Sequence, residues 1–142
     1  MVGSDILLAY AMRFVGVPYK WGGDDPLQGI DCSGLVIELL QSQGVLSRSF
    51  DSTAQGLLNH FVSFKTNTPS FGALVFFGKD ATKVTHVGFA VDEKLMLEAG
   101  GGDSTTTTIG IAAAKNAFVK IRPILARHDF VAVVKPKYYW EG

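Results

Sequence analysis

The sequence predicts a single α+β domain, and three observations predict it. Hydrophobic residues recur with a helical period before Pro69 and with a strand-like character after it. A chain of 142 residues suits one domain and can bury a sizeable core. No internal repeat and no linker long enough to divide domains interrupts it, so residues 1–142 read as one unit. Helices first and antiparallel strands afterwards define the class.

Each element follows from local chemistry. Ser4 or Asp5 can cap a first helix running to about Val15, which Gly16-Val17-Pro18 stops. Residues 19–29, rich in Gly and Asp, read as loop. A second helix starts near Asp31 or Cys32 and ends near Gly44, with Leu35, Val36, Leu39 and Leu40 on one face. Asp51-Ser52-Thr53 is cap chemistry for a third helix reaching about Phe61. Residues 73–77, 84–91 and 95–99 read as strands, with Asp92-Glu93-Lys94 as the hairpin turn. Residues 109–116 form a short helix, and residues 118–121 and 130–134 are closing strands. Gly100-Gly101-Gly102 reads as a close backbone turn, and the Thr run after it as solvated loop.

Composition excludes several classes of function. Thirteen Lys and Arg balance thirteen Asp and Glu, which leaves no basic face for nucleic acid and no polybasic membrane anchor. No window approaches the roughly 18 apolar residues of a membrane span, so no membrane insertion is expected. The N-terminus lacks the basic and apolar stretches of a secretory signal, so delivery to any extracytoplasmic target falls to something else. With one cysteine, Cys32, neither an intramolecular disulfide nor a CxxC zinc site is possible.

That cysteine is either a small buried hydrophobe or a nucleophile. It lies in Gly29-Ile30-Asp31-Cys32-Ser33-Gly34-Leu35-Val36, where a loop becomes a helix. Backbone N–H groups and the helix dipole favour a thiolate there, and the thiolate is the attacking species. Gly34 is expected to leave room for a substrate beside the sulfur. Ser33 and neighbouring N–H groups are candidates to hold an oxyanion.

A cysteine nucleophile needs a base. His60 ends the third helix beside Asn59 and Phe61, and His128 lies in a polar turn. His86 begins a strand in which the small residues Gly88 and Ala90 share its face, which predicts open space in front of it. Glu98 follows twelve residues later on the partner strand. Any even register puts the two on one face: pairing Ala90 with Lys94 sets them opposite, and pairing Val91 with Leu95 sets them on a diagonal. A carboxylate there can fix the imidazole tautomer and stabilise the imidazolium. An odd register would separate them and leave Glu98 an exposed strand charge. A zinc site from Cys32, His86 and Glu98 lacks any short-range ligand pair, and none is expected. The Gly100 to Gly102 stretch does not match a phosphate loop.

Taken together, several blocks resemble the NlpC/P60 family of peptidoglycan endopeptidases. They are Pro18-Tyr19-Lys20-Trp21-Gly22-Gly23, the Cys32 block above, Ser52-Thr53-Ala54-Gln55, Gly72-Ala73-Leu74-Val75-Phe76-Phe77 and Thr85-His86-Val87-Gly88-Phe89. They recur in the family's order across most of residues 4–100, and the match is less distinct beyond. The resemblance implies a papain-like fold with helices packed on a small antiparallel sheet. It implies hydrolysis of an amide bond in peptidoglycan stem peptides, often between D-γ-glutamyl and a diamino acid. It implies Cys32 as nucleophile, His86 as base, and Tyr19, Asp31 and Ser33 as residues around the substrate, with no metal or organic cofactor.

Two positions depart from the family pattern. Glu98 stands where His, Asn or Gln is usual, which implies a His86 protonated to higher pH. Ala73 stands where an Asp is common, a change expected to touch stability rather than chemistry. The 98–103 segment and the bare domain are similar to phage-encoded members, which implies delivery through a holin or as part of a tail, with other phage tail or lysis proteins as partners. Two alternatives stay open: a non-catalytic structural or tail-tip component that retains the fold, and an amidase or acyltransferase acting on another substrate.

Overall fold

The computed structural model describes residues 3–25 and 28–141. The ends of the 1–142 unit, Met1, Val2 and Gly142, and Pro26 and Leu27 of the first loop lie outside the described residues. Among the described residues, four α-helices occur in order: α1 (Gly3–Met12), α2 (Cys32–Ser42), α3 (Ala54–His60) and α4 (Ile109–Ala114). The strands are β1 (Asp24–Asp25), β2 (Gly29–Ile30), β3 (Lys65–Thr66), β4 (Leu74–Gly78), β5 (Val84–Ala90), β6 (Leu95–Gly100), β7 (Phe118–Pro123) and β8 (Phe130–Val134). Six of them form one antiparallel sheet in the order β3-β8-β4-β5-β6-β7, and β1 with β2 makes a separate two-residue ribbon. The predicted α+β class is the observed one.

The sheet is covered on both faces. Leu74, Phe76, Val87, Phe89, Leu97 and Ala99 face the helices, where they join Leu35, Leu39, Leu40 and Leu57 in the main core. Ala73, Val75, Phe77, Ala90, Met96, Ile124 and Val133 form a second apolar cluster on the opposite face. All five residues of β4 are therefore buried, and the strand reads as a continuous apolar run rather than an alternation. The C-terminal segment seals one end of the main core: Tyr138 stacks on Trp140 at 4.4 Å and donates its hydroxyl proton to the Gly72 carbonyl at 2.7 Å. Gly72 has φ +87°, and a side chain there would collide with the Tyr138 ring.

Several sequence expectations shift. α1 begins at Gly3, so Ser4 and Asp5 lie inside it rather than capping it. Residues 24, 25 and 29, read as loop, pair with Ile30 as the small ribbon, and β3 was not foreseen. The Thr run is not simply solvated. Thr106 is fully buried, and the Thr108 hydroxyl caps α4 by accepting the Ile111 N–H at 3.2 Å.

Candidate active site

The site starts at the N-terminus of α2. Asp31 is its cap residue: Oδ1 accepts the Gly34 N–H at 2.7 Å and Oδ2 accepts the Gly22 N–H at 3.0 Å. One carboxylate thus starts the helix and docks the Trp21-Gly22-Gly23 turn against it. The Asp31 N–H, in turn, donates to the Gly23 carbonyl at 3.0 Å. That approach explains Gly34 differently from the sequence expectation. A Cβ at Gly34 would sit 2.4 Å from the Gly23 carbonyl oxygen, so the missing side chain admits this turn rather than a substrate. Cys32, the first residue of the helix, is half-buried. Its N–H has no acceptor within the helix.

His86 owes its position to a β-bulge. Phe77 pairs with His86, but the next residue, Gly78, pairs with Val84, so Thr85 is the extra residue. The bulge reverses the facing of the strand: Val84 packs into the helix-side core, while His86 shares the Phe77 face, with ring centroids 5.6 Å apart. Gln55 of α3 fixes the start of the strand by accepting the Val84 N–H at 2.8 Å and donating to the Ala81 carbonyl at 2.9 Å. The space expected from the small residues on the His86 face lies elsewhere: His86 is 7% exposed and reaches the groove, but the gap beside Gly88 is taken up by the Met96 sulfur and Val75.

The β5–β6 register is even. Phe89 pairs with Leu97 and Ala90 with Met96, and the Val91 N–H donates to the Leu95 carbonyl, which is the diagonal arrangement for Glu98. His86 Nε2 and Glu98 Oε1 are 2.7 Å apart, and Glu98 is fully buried. Gly100 provides the slot. A Cβ at that position would lie 2.8 Å from Oε1, so only glycine lets the carboxylate reach back to the ring. The Cys32 thiol lies close enough to His86 to act on its titration. With Nε2 held by Glu98, Nδ1 is the nitrogen left to face sulfur.

Burial opposes a charge on His86, but the hydrogen bonds and negative charges of Cys32 and Glu98 overcome it and raise its pKa to about 9. Burial likewise pushes the Glu98 carboxyl up, and the hydrogen bond and charge of His86, followed by Arg122 and Arg127, bring it below its ordinary range. Asp31 is raised by burial, although the Gly34 and Gly22 N–H groups act against the rise.

These residues open on a groove of about 870 Å³, within the range of small-ligand sites. Tyr19, Asp31, Ser33, Cys32 and His86 all line it, while Glu98 stands behind His86. Tyr19 is 5% exposed, and its phenol is raised far above the usual range by burial and by the nearby Cys32, Asp31 and Asp103 charges. Ser33 donates to Asp31 Oδ1 at 3.3 Å. The opposite wall is the 101–108 loop. Gly102 lies against the Tyr19 ring, where any side chain would clash, and the Trp21 N–H donates to the Thr106 carbonyl at 2.8 Å. Lys115 pins this loop through Asp103 at 2.8 Å and the Thr105 hydroxyl at 2.6 Å.

His60 and His128 take no part in this cluster. His60 packs edge-on between Phe50 and Phe61. Ala73 is fully buried in the second apolar cluster, where an Asp would lose its water. Among the described residues, no three His, Cys, Asp or Glu side chains are grouped to hold a metal ion, and no helix is long and apolar enough to cross a membrane. Sequence reasoning missed Gln55, Arg122 and Arg127. Gln55 stood in a recognised block without a role, and the two arginines are brought in by the closing strands, whose register no local signal announces.

The architecture has counterparts in known proteins. A crystal structure of an NlpC/P60 family protein from Bacillus cereus superimposes with a TM-score of 0.73 at 18% identity, covering 95% of this chain and 40% of that one. The "Bifunctional muramidase/DL-endopeptidase CwlT" of Bacillus subtilis is 34% identical over 89 residues, 61% of this chain and 26% of its own. The "Probable peptidoglycan endopeptidase LytE" of the same organism is 31% identical over 122 residues, 85% of this chain and 33% of its own. The chain thus spans about a quarter to a third of the curated relatives it matches. The model of the NlpC/P60 family matches residues 16–126, with Cys32, His86 and Glu98 inside that span, and the chain belongs to the NlpC/P60 family.

Proposed function

We propose that this chain is a cysteine peptidase that hydrolyses an amide bond in peptidoglycan stem peptides, the D-γ-glutamyl bond to a diamino acid, and so acts at the bacterial cell wall. One observation carries the reading: His86 pairs with Glu98 at 2.7 Å and lines the same groove as Cys32, which stands at a helix N-terminus near enough to act on its titration. That is the arrangement a thiol nucleophile, its base and the base's orienter require. The relatives named as endopeptidases support the substrate class.

The Cys32 proton passes to Nδ1 of His86, which leaves a thiolate beside an imidazolium. The thiolate attacks the amide carbonyl carbon, and the Cys32 N–H with the Tyr19 hydroxyl receives the oxyanion. The imidazolium then gives its proton to the leaving amine as the C–N bond breaks. A water molecule, deprotonated by His86, attacks the thioester and releases the acid and the thiol. Glu98 stays ionised throughout and holds Nε2–H.

The test is mass spectrometry of defined muropeptides incubated with wild type and with Cys32→Ala. Cleavage at the D-γ-glutamyl bond by wild type alone is the expected result. Cleavage by both proteins would overturn the mechanism, and cleavage of no stem by either would overturn the substrate.

A further inference from the structure

The second oxygen of Glu98 is the irregularity of the site. Oε1 is committed to His86, whereas Oε2 is buried and, among the described residues, has no hydrogen-bond donor. A buried carboxylate oxygen without a donor requires either a counter-charge or a proton. The charged groups near it come from four elements. His86 of β5 holds Oε1, and Cys32 of α2 faces His86 rather than Glu98. From β7, Lys120 is directly opposite in register, but it donates to the Asn116 carbonyl at 2.9 Å and lies over the Phe118 ring. Arg127, before β8, is gripped by both oxygens of Asp129 at 3.0 and 2.9 Å. Arg122 of β7 stands on the diagonal, with Nη1 3.8 Å from Oε2. Among the described residues, Glu98 is the carboxylate within ion-pair range of Arg122.

The protonation state of Glu98 decides which way His86 works. An ionised carboxylate only accepts, so Nε2 carries the ring proton and the Nδ1 lone pair faces sulfur. A protonated carboxyl would donate to Nε2 and place the ring proton on Nδ1, where the ring cannot take a proton from Cys32. The geometry points to Arg122 as a positioning residue: its guanidinium supplies the counter-charge that keeps buried Glu98 ionised and thereby fixes the His86 tautomer facing Cys32. The inference rests on Cys32 and His86 being nucleophile and base. Burial alone drives Glu98 toward protonation, and Arg122 acts against it after His86.

The test reads thiol chemistry without any peptide substrate. The iodoacetamide alkylation rate of Cys32 is measured from acid to neutral pH in wild type, Arg122→Gln, Arg122→Lys and Lys120→Gln. An opposite charge within about 4–6 Å moves a carboxyl by one to three units in general, and solvent at the Arg122 end weakens this to about one. The acid limb in Arg122→Gln should therefore move up by about one pH unit. Arg122→Lys should return most of the way, and Lys120→Gln should stay with wild type. Because Arg122 is 40% exposed, these variants keep the core intact, which thermal melts verify. An unmoved limb in Arg122→Gln, an equal shift in Lys120→Gln, or no rescue by lysine would overturn the assignment. A protein that shows the expected limbs yet cuts no muropeptide would instead overturn the proposed substrate and leave Arg122 in its role.

Discussion

Replacing Glu98 with Gln tests the site where it is most unusual. The substitution keeps the shape and removes the charge 2.7 Å from His86 Nε2. His86 is raised from 6.5 to about 9 in spite of its burial. At about 1.4 kcal/mol per unit, that favours the imidazolium by about 3 kcal/mol. Cys32 and Glu98 share the effect, so about 1.5–2 kcal/mol belongs to Glu98, or roughly 10- to 30-fold in the thiolate–imidazolium population. The amide NH₂ can also turn toward Nε2 and place the ring proton on Nδ1, which adds to the loss. Glu98→Gln should thus lower kcat/KM on a stem peptide by about tenfold or more. The alkaline limb of the profile, where the imidazolium is lost, should move down by about one pH unit. The assays are kcat/KM against pH and an NMR titration of the His86 ring. An alkaline limb that coincides with wild type, with kcat/KM within about twofold, would refute the reasoning.

The remaining predictions concern packing, capping and linkage. Gly100→Ala pushes a Cβ against Oε1, and because the carboxylate is the flexible partner it should leave His86. Alkylation of Cys32 at neutral pH should fall about tenfold with the melting temperature little changed, and unaltered alkylation would contradict the slot. Asp31→Ala removes the α2 cap and the Gly22 tether and should cost about 2 kcal/mol in urea unfolding, while Asp31→Asn should stay near wild type; equal losses in the two would argue against the cap. His86 has a folded-state pKa above its unfolded value, so its stabilising contribution is complete below about pH 6.5 and is lost as pH rises through about 9. Wild type should therefore lose melting temperature across that window more steeply than Glu98→Gln, and parallel slopes would disprove the linkage.

Much of this site could be read from the chain because it depends on short-range chemistry. Thr53 caps α3, Asp31 caps α2, and Asp92 closes the hairpin by accepting the Lys94 and Leu95 N–H groups, all within three residues of the cap. The hairpin is short enough that two registers cover the plausible pairings of His86 with Glu98, and the observed one is among them. What could not be read depends on distant partners. The Gly34 and Gly88 gaps look like open space in sequence, but only the fold shows that the Gly23 carbonyl and Met96 occupy them. Arg122 follows Glu98 by a whole loop and helix, so its diagonal position depends on a register that no nearby residue sets. The second apolar cluster was equally hidden, because it draws on four strands, β8, β4, β5 and β6, and on Ile124 beyond β7.

The bulge at Thr85 gives one strand two independent phases. Upstream of it, Val84 answers to the helices; downstream, His86 and Ala90 answer to Phe77 and the outer cluster, while the odd-numbered Val87 and Phe89 face the helices. The core under the helices can therefore be repacked around Val84, or the 79–83 turn altered in length, without rotating the imidazole. Regular pairing through Thr85, without the bulge, would remove that freedom. Val84 and His86, two residues apart, would then be forced onto the same face, and the chain would have to choose between a filled core and an aligned base.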